Sequence, residues 1–144
     1  MTTVNLHPRR AARQCVLEAL FAYQFSKNER TEIIDQLVNK NPELKDHYDF
    51  IKSLFDIVFT KMKWAENTIK AHLENWEIDR VASIDKILLK MGICEIYFIG
   101  DIPPKVTISE MVEIAKIYST DESPIFINGI LDAVFKDYLK ENKE

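Results

Sequence analysis

Glycine, proline and cysteine are all scarce in this chain of 144 residues. It has only three glycines and five prolines, and so few turn-forming residues argue against a turn-rich β architecture and favour long helices. The two cysteines, Cys15 and Cys94, both fall within apolar helical patterns. We therefore expect reduced thiols in the core of a protein from a reducing compartment, and no disulfide framework.

Long apolar runs and export signals are missing as well. No apolar run approaches the roughly 20 residues that span a bilayer, and the first residues lack the apolar stretch of a signal peptide. We therefore expect a cytoplasmic protein with no membrane partner. The apolar fraction of 47% argues against intrinsic disorder, and the length predicts one domain over residues 1–144 with a core of its own.

Residue patterns that support catalysis or cofactor binding are also absent. His7, His47 and His72 are scattered and have no cysteine nearby, so the sequence does not indicate a metal site. It contains neither a glycine-rich phosphate loop nor a G-x-S-x-G motif. The sequence thus predicts a protein that is not an enzyme and that carries no metal and no cofactor.

Positive charge is concentrated at the start of the chain. Residues 1–14 contain Arg9, Arg10 and Arg13 but no Asp or Glu. The whole chain carries −4, so the remainder carries −7. On a helix, Arg9 and Arg13 share one face. This segregation is typical of a local grip on a phosphate backbone, although a helix start with solvated charges has the same pattern.

Apolar periodicity predicts an all-α domain of six or seven helices. The expected helices cover residues 9–26, 31–39, 45–75, 84–100 and 107–118, with a last one from about residue 124. We expect fraying at 1–8 and 140–144.

Three details refine this prediction. The helix at 84–100 is apolar on nearly every side, which places it centrally, and Gly92 within it predicts close approach of a neighbouring helix. Ser83 is the expected N-cap of that helix, and Thr107 to Glu110 have the spacing of a capping box. Asp121 or Ser123 is expected to cap the last helix, with Pro124 in its first turn.

Four sequence blocks carry a family resemblance. They are Arg9–Phe21, Asp85–Lys90 leading to Glu95-Ile96, Asp101–Glu110 followed by Glu113–Lys116, and Phe126–Asp132. In order and spacing they resemble the NusB family of bacterial transcription antitermination factors, over nearly the whole chain.

The resemblance implies an all-α fold of two packed helical subdomains forming a single RNA-binding domain. Proteins of this family pair with ribosomal protein S10, also called NusE. The pair binds the single-stranded boxA element of nascent ribosomal RNA. It helps to assemble a termination-resistant elongation complex, which involves other antitermination factors and RNA polymerase indirectly. The resemblance implies neither catalysis nor a cofactor.

The same resemblance nominates site residues. For RNA binding they are Arg9, Arg10, Arg13, Gln24, Tyr118, Glu122, Phe126, Asn128 and Gly129. For binding S10 they are Phe21, His72 and Asp85. Aromatic side chains can stack on unpaired bases, but Tyr118 and Phe126 also suit a core. Gly129 suits close approach by RNA or by another helix, and Asp85 suits simple stabilisation of a helix N-terminus.

The chain departs from the family pattern at two positions. Many members carry Lys or Arg immediately before the aromatic that corresponds to Phe126, where this chain has Ile125, and Ala133 replaces a commonly basic residue. One alternative is therefore a diverged interaction module that keeps S10 binding and has weak or no RNA binding. Another is a stand-alone relative of the RNA-binding domain of ribosomal RNA cytosine methyltransferases. Some relatives form homodimers, and the sequence leaves monomer and homodimer open.

Overall fold

The computed structural model describes residues 8–74 and 77–142. In these ranges it contains seven α-helices, two short 3₁₀ helices and no strand. The α-helices are α1 Pro8–Tyr23, α2 Arg30–Lys40, α3 Tyr48–Thr60, α4 Met62–Ala71, α5 Ser83–Phe98, α6 Pro104–Tyr118 and α7 Ser123–Glu141. The 3₁₀ helices are Pro42–His47 and Ile78–Arg80. The all-α prediction is confirmed.

The chain divides into two compact units, Met1–Asp56 and Ile57–Glu144. In the first unit, α1 packs on α2, and both contact the 3₁₀ helix Pro42–His47. The apolar stripe of α1 supplies Val16 and Leu17 to its core, where both are almost fully buried. Periodic apolar side chains, buried against neighbouring helices, thus hold this unit together.

In the second unit, α5 packs against α4, α6 and α7. Its central position was expected from its apolar character, and ten of its residues are buried. Gly92 faces α7: a Cβ added there would be 2.8 Å from Leu131 Cδ1. The predicted close approach of a neighbouring helix is therefore present, and glycine makes room for it.

The single helix expected at 45–75 is wrong. The segment is a 3₁₀ helix followed by α3 and α4, with Lys61 between the α-helices at φ −101° and ψ 18°. No Pro or Gly marks this break, so local sequence gave no signal for it. Residue 75, the expected end, lies outside the described residues, as do 1–7 and 143–144, where we expected fraying. Helix α7 continues to Glu141, into the segment expected to fray.

The expected helix caps are also wrong. Ser83 is the first residue of α5 and its N-cap is Ala82, while α6 begins at Pro104, three residues before the expected capping box. The Thr107 hydroxyl instead donates to Glu95 Oε1 at 2.8 Å. The N-cap of α7 is Glu122, without a side-chain cap bond, whereas Pro124 lies in the first turn as expected. A capping box does form at the start of α2, between Glu29 and Glu32.

Both cysteines are free and buried, as the sequence predicted. Burial, with a smaller contribution from Glu18, raises the pKa of the Cys15 thiol to about 11. Burial likewise raises the pKa of Cys94 to about 12. Because the thiolate is the reactive species, both side chains act as small apolar core residues.

None of the helices in the described ranges is both long enough and apolar enough to cross a membrane.

Candidate functional site

Two of the three arginines of α1 lie over one aromatic ring in the first unit. The guanidinium carbon of Arg9 lies 4.4 Å from the centroid of the Phe50 ring, and that of Arg13 lies 5.3 Å from it. The predicted common face of Arg9 and Arg13 is therefore present. Stacking on an aromatic face restrains a guanidinium while leaving its N–H groups able to donate.

The three arginines differ in exposure. Arg13 is only 2% exposed, whereas Arg9 and Arg10 are half-buried. Solvated charges at a helix start, one of the two interpretations of this motif, do not describe Arg13. Arg9 and Arg10 are the members of the motif with surface available to a ligand, and direct RNA contact by Arg13 stays a prediction.

The end of α1 presents two aromatic rings to solvent. Phe21 is 38% exposed and Phe25 is 75% exposed, and their rings meet edge to face with centroids 5.2 Å apart. Gln24, in the turn that follows α1, lies between them in the sequence and is exposed. Phe21 and Gln24 are thus accessible, as the predictions of partner and RNA binding require, and Phe25 extends the same surface.

In the second unit, Asp85 organises the connection between α6 and α7. Ser119 Oγ donates to Asp85 Oδ1 at 2.6 Å, and Ser123 Oγ donates to Asp85 Oδ2 at 2.8 Å. Thr120 Oγ1 lies 2.8 Å from Ser123 Oγ. Two hydroxyl donors thus satisfy the buried carboxylate. The network fixes the loop from which the next residues project.

Asp85 itself is only 6% exposed. Its alternative role, stabilising the first turn of its helix, agrees with its place in α5 and with the internal hydrogen bonds. Contact between Asp85 and S10 stays a prediction.

A cavity of about 180 Å³ lies beside this network, with Asp85, Glu122, Ser123 and Phe126 among its lining residues. Phe126 is half-buried, so it is neither a core residue nor a fully exposed one. Arg80, exposed at the end of the 3₁₀ helix Ile78–Arg80, also lines the cavity. This corner of the second unit combines an aromatic ring, a cation and an ordered loop.

The first turns of α7 present a small, open surface. Ile125 is 81% exposed, and Asn128 and Gly129 are exposed as well. A Cβ added at Gly129 would meet no atom within 4 Å. A neighbouring helix therefore does not explain this glycine. Tyr118, the last residue of α6, is half-buried.

His72, the remaining residue of the predicted partner set, caps the C-terminus of α4. Its Nδ1 lies 2.9 Å from the Thr68 carbonyl oxygen, and its Nε2 lies 2.8 Å from Asp137 Oδ2. The imidazole is therefore held in one orientation at the edge of a second cavity.

Phe50, Phe25 and Arg80 were not predicted as site residues from the sequence. Phe50 is part of the apolar stripe of its helix, and only the fold places it beneath arginines. Phe25 follows the apolar stripe of α1 and carries no signal of its exposure. Arg80 is a single cation in a polar stretch. The nominated residues divide between the units: Arg9, Arg10, Arg13, Phe21 and Gln24 belong to the first, and His72, Asp85, Tyr118, Glu122, Phe126, Asn128 and Gly129 to the second.

Comparison with known proteins gives a consistent result. A family model described as the NusB family matches residues 10–136. The transcription antitermination protein NusB of Fervidobacterium nodosum is 37% identical over 135 residues, which cover 94% of this chain and 95% of the relative. The protein of the same name from Chloroherpeton thalassium is 37% identical over 131 residues, covering 90% of this chain and 62% of the longer relative.

Solved structures agree with this fold. The structure of T. maritima NusB matches with a TM-score of 0.81 and 30% identity, covering 95% of this chain and 94% of that chain. A crystal structure of antitermination factors NusB and NusE in complex with dsRNA contains a chain that matches with a TM-score of 0.81. That match has 24% identity and covers 93% of this chain and 100% of the other. At this identity the likeness shows the fold alone.

Proposed function

The chain belongs to the NusB family, and we propose that it is a transcription antitermination factor that binds boxA-type single-stranded RNA together with ribosomal protein S10. It acts as a non-enzymatic, cofactor-free, cytoplasmic component of a termination-resistant elongation complex. Its contacts with other antitermination factors and RNA polymerase are indirect.

One observation carries the RNA-binding part of this proposal. Arg9, on the first helix of an otherwise acidic chain, lies over the Phe50 ring. A guanidinium restrained in this way loses little side-chain freedom on binding a phosphate, and its planar fork can pair with two phosphate oxygens. Arg10 adds a second cation about 100° around the same helix. We propose that these two side chains, with Gln24 beyond the helix end, form the RNA contact of the first unit.

The second unit supplies a separate RNA contact. Phe126 offers a half-buried ring beside a cavity, and base stacking on an aromatic side chain contributes about 1–3 kcal/mol per base. The hydroxyl groups of Ser119 and Ser123 donate to the Asp85 carboxylate and hold the adjoining loop in place. Tyr118 and Glu122 therefore project from an ordered loop. Asn128 and the open backbone at Gly129 continue this surface along α7.

For S10, we propose contacts through Phe21 in the first unit and through the surface around His72 in the second. Phe21 is an exposed aromatic, a residue type enriched in interface cores. Asp85 contributes by ordering the loop through Ser119 and Ser123 rather than by presenting a free charge.

The test is RNA affinity as a function of salt, measured by fluorescence anisotropy with and without S10. Arg9→Ala/Arg10→Ala should weaken boxA binding. It should also flatten the slope of log affinity against log salt by about 1.4, since each lost phosphate contact removes about 0.7 for a single strand. Arg13 is kept, because a buried side chain cannot be removed without disturbing the fold.

The matched control is Lys40→Ala/Lys45→Ala, which removes two exposed cations from the same unit outside α1. If the control and the arginine variant lose affinity equally, net charge and not this motif governs binding, and the proposed contact is wrong.

A second candidate function is favoured by Ile125. This residue is 81% exposed at the start of α7, at a position where the family resemblance implies a cation. An interaction module that retains S10 binding without RNA binding would tolerate the absence of a cation at this position. In the same titration such a protein would bind S10 while showing no saturable RNA binding in its presence.

A further inference from the structure

A second cavity in the second unit combines aromatic walls with carboxylates. It has a volume of about 330 Å³ and is lined by residues of α4, α5 and α7. Trp64 and Tyr97 contribute rings whose centroids are 5.0 Å apart and nearly perpendicular. Asp137 and Glu141 contribute the carboxylates. We refer to these four residues and the cavity between them as the aromatic–acidic pocket.

Both carboxylates are oriented by neighbours. His72 Nε2 lies 2.8 Å from Asp137 Oδ2, and the Tyr97 hydroxyl donates to Glu141 Oε1 at 3.1 Å. Each bond engages one oxygen, whereas an ionised carboxylate has two oxygens and about four acceptor sites. Asp137 and Glu141 therefore keep acceptor capacity for a donor that enters the pocket.

The pocket is electronegative whichever protonation state His72 adopts. Its charged lining residues are two carboxylates, with no Lys or Arg among the described residues that line it. A neutral imidazole leaves a charge of −2, and a protonated one leaves −1. Ala71 and Glu141 are also the last residues of α4 and α7, and helix C-termini carry partial negative charge. Such a pocket repels a phosphate and attracts a cation.

The walls suit a cation with a flat face. Trp64 is 36% exposed, and its ring lies 5.3 Å from that of Phe98, which is 40% exposed. Next to the pocket, the Phe98 ring already holds one cation, since Lys61 Nζ lies 5.2 Å from its centroid. A guanidinium can stack on an indole and pair with a carboxylate at the same time.

We propose that the aromatic–acidic pocket receives an arginine side chain of a protein partner. The guanidinium stacks against Trp64 and pairs with Asp137 and Glu141, and the exposed ring of Phe98 packs against apolar atoms around that arginine. The inference deepens the proposed function, on which it rests for the existence of a protein partner, because His72 of the proposed S10 surface lines this pocket.

The first experiment uses a small probe in place of a protein. The ¹⁵N–¹H signal of the Trp64 indole is followed by NMR in Trp76→Phe, which leaves Trp64 as the only tryptophan. N-acetyl-arginine amide should shift this signal saturably in the millimolar range. N-acetyl-citrulline amide, which is nearly isosteric and uncharged, should not. Equal responses to the two compounds, or no saturable response to arginine, would overturn the proposal.

The second experiment removes the charges of the two pocket carboxylates and keeps the shapes of their side chains. Asp137→Asn/Glu141→Gln should weaken arginine binding by at least about fivefold, the effect expected of a residue that matters at an interface. The matched control, Asp101→Asn/Asp132→Asn, makes the same change in net charge outside the pocket. Both proteins should retain their melting temperatures. Equal affinity in the two variants would show that general charge attracts the probe.

Titration with S10 separates this inference from the function on which it rests. Loss of S10 affinity in the pocket variant, but not in the control, supports both. If the wild-type protein binds the arginine probe but not S10, the choice of partner is wrong and the pocket stands. If S10 binds all variants equally and the arginine probe fails, the pocket proposal is wrong and the proposed function stands.

Discussion

Substitution by alanine should change the free energy of unfolding in opposite directions at two glycines within helices. Gly92 is buried in α5, and a Cβ there would lie 2.8 and 2.9 Å from the two methyl carbons of Leu131. Ordinary carbon contacts are about 3.5–4.0 Å, so Leu131 would have to move by about 1 Å. Since Leu131 is fully buried, this movement disturbs a packed core.

The magnitude follows from two opposing terms. Overpacking a core costs about 1–3 kcal/mol, and replacing glycine within a helix returns about 0.8–1.0 kcal/mol. Gly92→Ala should therefore lower the free energy of unfolding by about 1 kcal/mol. At Gly129 the second term acts alone, because a Cβ there meets no atom within 4 Å. Gly129→Ala should raise the free energy of unfolding by about 0.8–1.0 kcal/mol.

Urea denaturation of the wild type and the two variants measures both changes. A third protein tests the cause: in a Leu131→Ala background the clash disappears, so Gly92→Ala should become stabilising. The reasoning is refuted if Gly92→Ala stabilises the protein as much as Gly129→Ala does. Gly129→Ala also has a functional consequence, because RNA that approaches this backbone should bind the more stable variant less tightly.

Three further predictions follow from individual side chains. Ile125→Lys should leave the melting temperature unchanged, because the position is exposed. It should also raise RNA affinity, most at low salt. A large drop in melting temperature would contradict the exposure. Asp85→Ala should lower the free energy of unfolding by about 2–3 kcal/mol, measured in urea, because Ser119 and Ser123 lose a charged acceptor. Burial raises the pKa of Cys94 from 9.0 to about 12, so the unfolded chain loses this proton first. The free energy of unfolding should therefore fall as pH rises from about 9 to about 12, and it should fall less steeply in Cys94→Ala. Equal pH slopes for the wild type and the variant would contradict the raised pKa of Cys94.

The candidate site could be predicted from the sequence only in part. The segregated arginines of α1 and their common face follow from charge and from helical periodicity. That Arg13 is buried does not, and neither does the stacking of Arg9 on Phe50. Arginine side chains are long and flexible, so their final position depends on which surfaces the fold brings within reach.

The sequence by itself determined the helical character of the chain, the central place of α5 and the need for space at Gly92. Each follows from apolar periodicity or from side-chain size, which are properties of neighbouring residues on one helix. These local properties need no knowledge of what the helix packs against, and the structure confirms each of them.

Only the tertiary structure decided how the hydroxyl groups are used. Ser83, Thr107 and Ser123 all have the local pattern of helix-capping residues, yet Thr107 donates to Glu95 and Ser123 donates to Asp85. The reason is energetic. A buried carboxylate without donors costs more than a missing cap, and a helix N-terminus near solvent can bind water instead. Whether a hydroxyl caps its own helix or donates to a carboxylate elsewhere thus depends on which carboxylates the fold buries. The spacing of residues along one helix does not contain that information.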